Sequence, residues 1–251
     1  MKNETAKVSS LVKAMKVLEC FSMKQPELGV TEIAKSLGLQ KSTVHNILST
    51  FETMGYVTQN SSNGKYALGA RLLRFSYIIN NQMGYQKFFL PYMEMIAEKV
   101  HETVFLAIPH ENEVLYLESR QPHDTMAERR ILGEHAPMYC TGLGKALLAF
   151  MPEEEQEKHI PDTFVRFTEN TLTSKEALLE DLRHIRERGY SIDNMEHEYG
   201  VVCVAIPVFG HDGLPVAAIS ISGPSLRLQK EAIVQAAASM KEILSPTQYV
   251  L

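Results

Sequence analysis

The chain has 251 residues, 45% hydrophobic and 22% charged, a composition that excludes fibrous, low-complexity and disordered proteins and suits a small domain joined to a larger one. Its longest apolar runs, such as "VVCVAIPVF", are far shorter than the roughly 20 residues of a membrane span. Lys2, Glu4, Lys7 and Lys13 break up the opening turns where a secretory signal needs continuous apolar sequence, so a cytoplasmic location without membrane contact is expected. The net charge of −5 is unevenly spread: residues 1–75 hold 10 Lys and Arg against 5 Asp and Glu, the remainder 15 against 25. A basic head suits a polyanionic partner; an acidic body does not.

In chain order, "SSLVKAMKVLECFS" spaces Leu11, Ala14, Met15, Leu18 and Phe21 by three and four, which predicts an amphipathic helix capped by Ser9 or Ser10. "QPELGV" is punctuation, after which Thr31 opens a short helix with Ile33, Ala34 and Leu37 on one face, stopped by Gly38. A third helix is predicted from Ser42 or Thr43 to about Met54, burying Val44, Ile47, Leu48 and Phe51 and ending at Gly55. "YVTQNSSNGKYALG" reads as strand, turn and return strand. Three short helices followed by a hairpin is the winged helix-turn-helix order.

Residues 71–84, beginning "RLLRFSYIINNQ", are too apolar for a free linker and predict a joining helix; together with Met83 it is a candidate interface to another chain. Beyond it "PYMEMIAEKVHE" is helical, "TVFLAIP" and "EVLYLESR" are strands, and "TGLGKALLAFM" is a helix. "SKEALLEDLRHIRERGY" is an amphipathic helix closed by Gly189, "VVCVAIPVF" and "LPVAAISIS" form a buried hairpin, and "QKEAIVQAAASMKEIL" is a closing helix. The fold class is α+β with a largely antiparallel sheet.

The third helix devotes its N-terminal half to short polar and cationic groups. Lys41 and Ser42 lie where a phosphate meets backbone amides and the positive helix end, while Thr43, His45, Asn46 and Ser49 occupy the outward arc. Asn46 suits a bidentate contact with adenine and Thr43 a thymine methyl, and the wing residues Asn63 and Lys65 suit an adjacent groove or backbone. The competing account, a solvated surface helix, loses ground because the turn "SLGLQKST" and the hairpin sit at the right distances.

From Ser10 to Leu73, "TEIAKSLGL", "KSTVHNIL" and "GYV…KYALGARLL" resemble the first domain of the IclR family of bacterial transcription regulators. "GKALLAF", "RERGYSIDNMEHEYGVVCVAIPVF" and "AAISISGP" resemble that family's effector domain, so the likeness covers almost the whole chain. Family members commonly carry arginine where Asn46 and Lys65 stand here, which implies a different operator sequence and different phosphate contacts. The resemblance implies a winged helix-turn-helix DNA-binding domain over 8–70, the joining helix over 71–84 and a GAF-like α/β effector domain over 85–251. It also implies a small organic acid as effector, bound by the amides around Thr141, Gly142 and Leu143, the Asp193 carboxylate, the Cys203 thiol and the Ser220 and Ser222 hydroxyls. The physics is compatible: "CTGLGK" places amides at a helix start, and Ser220 and Ser222, two apart on a strand, face one side of a sheet. Each residue also has a plain reading: Thr141 as an N-cap, Cys203 as core, Asp193 as a turn residue after Gly189, and the two serines as solvent-facing opposite Ile219 and Ile221.

The expected function is a repressor of a catabolic operon that binds an operator duplex as a homodimer or homotetramer, needs no cofactor and is no enzyme. Asp193, His197 and Cys203 offer the groups of a nucleophilic triad, but Val202 and Val204 predict an inert thiol. "GLGK" has Ala146 where a P-loop needs Ser or Thr, and His197, Cys203 and His211 lack zinc spacing. The alternative is a metabolite-binding or thiol-sensing protein with no DNA role, sensing through Cys140 or Cys203; Cys20, Cys140 and Cys203 lack CxxC spacing and are read as reduced thiols.

Overall fold

A computed structural model describes residues 8–22, 24–76, 78, 84–122 and 132–249. Contacts divide the chain into two compact units, Met1–Gly84 and Tyr85–Leu251.

In the first unit, α1 (Ser9–Glu19), α2 (Val30–Leu37) and α3 (Lys41–Thr53) surround a core of Val17, Phe21, Ile33, Ala34, Val44, Leu48, Val57 and Tyr66. The stripe that spacing suggests for α1 is buried only at its end, where Phe21 joins the core and Leu18 packs against it. Val17 is fully buried, whereas Leu11 and Met15 are 60% and 48% exposed. Helix α1 packs with its C-terminal half, so the spacing located the helix but not its seat.

The turn between α2 and α3 is made by Gly38, whose φ of +64° lies in the left-handed region that glycine enters without a Cβ penalty. Glu32 accepts the Gly29 amide at 2.6 Å, closing the start of α2. Helix α3 begins one or two residues earlier than the sequence suggests, after an extended Gln40, so Lys41 and Ser42 lie inside its first turn.

Strands β2 (Val57–Gln59) and β3 (Tyr66–Leu68) form the expected hairpin. A third strand, β1 (Glu27–Leu28), pairs with β3 in the order β1-β3-β2. It lies inside "QPELGV", where Pro and Gly masked it. Residues 73–76 and 78 of the joining segment are helical; Met83 lies outside the described residues.

The second unit is a six-stranded antiparallel sheet in the order β6-β5-β4-β9-β8-β7. Its strands are β4 (Thr103–His110), β5 (Glu113–Arg120), β6 (His135–Pro137), β7 (Ser191–Asn194), β8 (Val201–Phe209) and β9 (Pro215–Pro224). Helices α4 (Tyr85–Val100) and α8 (Lys230–Leu244) pack together on one side of the sheet. Helix α5 (Gly142–Phe150) covers β8 and β9 on the other, backed by α7 (Lys175–Arg188), with the short α6 (Glu153–His159) following α5.

With both faces covered, β9 buries both of its side-chain sets: Ile219 and Ile221 are inaccessible, and Ser220 on the opposite face is 2% exposed. The solvent-facing reading therefore fails for Ser220, because it assumed a sheet with one wet face; Ser222 is half-buried and lines a cavity. Asp193 lies on the edge strand β7, opposite Cys203 of β8, and its side chain also caps the following turn by accepting the Glu196 amide, so the capping reading holds beside the cavity one.

Candidate functional site

In the first unit the polar arc of α3 is presented outward. Lys41, Ser42, His45 and Asn46 are exposed, and Thr43 and Ser49 are half-buried beside the Val44 and Leu48 that anchor the helix. Among the described residues the N-cap Gln40 makes no side-chain cap hydrogen bond to α3, which leaves its first amides to an anion approaching the positive end of the helix.

The wing is arranged differently from the sequence expectation. Asn63 donates to Glu27 Oε2 at 2.9 Å, joined by Asn60 on Oε1 at 3.1 Å, and Lys65 Nζ contacts Glu32 Oε1 at 3.0 Å. The Asn63 and Asn60 amides hold the Glu27 carboxyl below the usual carboxylate range, and the Gly29 backbone amide, followed by the Lys65 ammonium, does the same for Glu32. Asn63 and Lys65 thus tie the wing to β1 and α2, and a phosphate has to compete with two carboxylates for them.

In the second unit, all seven residues expected around an effector line one cavity of about 410 Å³: Thr141, Gly142, Leu143, Asp193, Cys203, Ser220 and Ser222. The sheet register explains the convergence. Asp193, Cys203 and Ser222 lie side by side across β7, β8 and β9, and Ala205 and Ser220 form the next row of the same face. Small side chains in these rows let α5 approach the sheet, so that a Cβ on Gly142 would stand 3.2 Å from Cys203 Cβ. Gly144 is stricter: a Cβ there would lie 2.2 Å from the Met138 backbone, which only glycine avoids.

Thr141 is the N-cap of α5. Its hydroxyl accepts the Gly144 amide at 3.2 Å and donates to Pro137 O at 2.8 Å, and Gly142 and Leu143, the first two residues of the helix, line the cavity. Cys203 donates to Ser222 Oγ at 3.3 Å. Burial, aided by the Asp193 charge, pushes its thiol well above the ordinary value; burial does the same to Cys140. Such thiols stay protonated and do not attack, so Asp193, His197 and Cys203 share a cavity without forming an activated nucleophile.

Sequence reasoning missed the rest of the lining, including Phe105 and Tyr116, packed edge to face at 5.7 Å, and Glu134, His135, His197 and Glu198. It also missed Lys145. This residue is 1% exposed, and its Nζ contacts Asp181 Oδ2 at 2.7 Å and Glu196 Oε1 at 2.5 Å, tying α5 to α7 and to the loop after β7. Two neighbouring carboxylates outweigh burial and raise the lysine pKa. Helical periodicity places Lys145 in an apolar helix, but no local signal names its acidic partners 36 and 51 residues away. Asp193 accepts the Glu196 amide at 2.7 Å, and its carboxyl is nevertheless pushed up to about 7, first by burial and then by the Glu196 charge.

A winged helix-turn-helix unit with an outward polar helix, followed by a sheet unit enclosing a polar cavity, defines a two-domain helix-turn-helix transcription regulator. Residues 10–61 match the IclR helix-turn-helix domain and residues 80–245 match the IclR C-terminal domain of bacterial transcriptional regulators. The chain belongs to the IclR family and is a DNA-binding transcription regulator. It is 33% identical to the HTH-type transcriptional regulator XynR of Escherichia coli (strain K12), over 86% of each chain. To the transcriptional repressor IclR of the same organism it is 32% identical, over 92% of this chain and 85% of that one. The crystal structure of the Thermotoga maritima IclR superposes with a TM-score of 0.73 at 28% identity, covering 94% of this chain and 96% of that one.

Proposed function

We propose that the chain is a ligand-responsive repressor of a catabolic operon, in which α3 reads the major groove of a pseudo-palindromic operator and the cavity binds a small organic or sugar acid. The observation that carries the reading is the convergence of the N-terminal residues of α5, Gly142 and Leu143, with Ser220, Ser222 and Asp193 on one cavity of about 410 Å³, the size of a small metabolite; a helix start leaves its first amides for an anion. Lys41 and Ser42 position the helix on phosphates, and Thr43, His45, Asn46 and Ser49 face base edges. Asn63 and Lys65 join them once the operator draws them from Glu27 and Glu32. The name of the E. coli repressor supports the repressor assignment.

A single winged helix buries little DNA, so the working form is a homodimer or homotetramer whose heads occupy successive turns. The domains divide as 8–70, 71–84 and 85–251. Effector shifts operator affinity by binding two arrangements of the heads unequally. Footprinting of the chain's own upstream region, with and without simple carboxylates, tests this. A protected palindrome that responds to an acid is expected; no protection in either state refutes it. The raised Cys140 and Cys203 thiols speak against a thiol sensor.

A further inference from the structure

The cavity presents an electrostatic conflict to the ligand proposed for it. Asp193, Glu134 and Glu198 line it together with the imidazoles His135 and His197, and among the described residues no lysine or arginine does. An acid docked on the Gly142 and Leu143 amides therefore sits beside Asp193, which is 4% exposed and shares its sheet row with Cys203 and Ser222. Two like charges at such a dry site do not both stay ionised.

A second observation points the same way. Glu196, whose amide donates to Asp193, has its own Oε2 buried without a hydrogen-bond donor among the described residues. That carboxylate adds a second negative charge acting on Asp193.

The groups around Asp193 relieve the conflict only in part: the Glu196 and His197 backbone amides and the Lys145 charge favour its ionised form, but burial and the Glu196 charge outweigh them. From α5, Lys145 is already engaged by Glu196 and Asp181. From β8 and from the turn before α5 come the protonated thiols of Cys203 and Cys140, and from β5 comes Tyr116, whose phenol is raised by burial. The segment leading into β6 contributes Glu134 and His135, and the loop after β7 contributes Glu196, His197 and Glu198.

We propose that the cavity takes its effector as an acid: each carboxylate ligand enters together with one proton, which is held by the Asp193 carboxyl. Asp193 thereby becomes a hydrogen-bond donor to the ligand's carbonyl, hydroxyl or carboxylate oxygen, and the regulator reads proton and metabolite jointly. Its elevated carboxyl pKa places the exchange near neutrality. The inference rests on the carboxylate reading of the effector given above.

The test uses the full chain. Acetate, lactate, benzoate and 4-hydroxybenzoate are screened by thermal shift at pH 6, and the tightest is titrated calorimetrically in two buffers of different ionisation enthalpy. Binding is expected to take up about one proton per site at pH 8 and almost none at pH 5.5, with Kd weakening about tenfold per pH above neutrality. Asp193→Asn, which keeps a donor, should bind without uptake and with a flat Kd. Because imidazoles also gain protons near neutrality, His135→Gln and His197→Gln serve as controls and should retain the slope. Binding by wild type at pH 8 without uptake overturns the proposal, as does uptake that survives Asp193→Asn and disappears in either histidine variant. The carboxylate reading fails separately, taking this proposal with it, if no acid binds at pH 6 or if only the corresponding amides or amines do.

Discussion

Replacing Lys145 by methionine should expose what its buried ammonium holds in place. Methionine fills a similar volume but leaves Glu196, with an 8% exposed side chain, and Asp181, at 23%, without their shared cation. Asp181 keeps Arg188 at 3.6 Å and some water, so the uncompensated charge falls mainly on Glu196. Stranding one buried charge costs about 3–5 kcal/mol. The carboxylate can escape by taking a proton, which from an ordinary glutamate value costs about 3–4 kcal/mol at pH 7. The expected loss is therefore about 3 kcal/mol at pH 7, shrinking to about 1 kcal/mol at pH 5, where that proton is nearly free. Urea unfolding followed by far-UV circular dichroism at both pH values measures it. Glu196→Gln on the Lys145→Met background should recover about half of the loss. A single variant within about 0.5 kcal/mol of wild type, or a loss equal at the two pH values, would refute the argument that an unpaired carboxylate is the cause.

Other outcomes follow from the same geometry. Lys41→Ala should weaken binding to operator and random DNA alike and lower the salt slope by about 1, whereas Asn46→Ala should relax preference at one base position; anisotropy titrations across salt and a set of operator variants distinguish them. Glu27→Gln with Glu32→Gln should loosen the hold on Asn63 and Lys65 and tighten DNA binding, at a small cost in melting temperature from the weakened Gly29 cap, and unchanged affinity would place the wing off the duplex. Gly144→Ala forces a Cβ onto the Met138 backbone and should cost about 1–3 kcal/mol while displacing the cavity amides, as read by thermal melts and by lost carboxylate binding. For Asp193 the folded carboxyl titrates above its ordinary 3.8, at about 7. The native state then binds the extra proton between those values, so stability is greatest at the acid end and falls as pH rises through the window. Asp193→Asn should remove that fall, worth up to about 4 kcal/mol; a stability–pH curve unchanged by the substitution would contradict it.

The sequence by itself determined the elements whose signals are local. Apolar spacing and the Gly38 stop marked α2 and α3, the Asn-Gly turn marked the wing, and long motifs marked the family. It also named the seven residues that share the cavity, because the likeness carried them across positions that chain distance keeps apart. Only the tertiary structure decided which groups face one another. Two-residue β1 carries no periodicity, so a partner strand alone reveals it. The buried stripe of α1 depends on where the helix docks, and Ser220 is interior because a second layer covers the far face of β9. Lys145 and Glu196 gain their importance from a contact across 51 residues of chain. Asp193 is out of the ordinary through burial and a neighbouring charge, quantities that exist only once the sheet has closed around it.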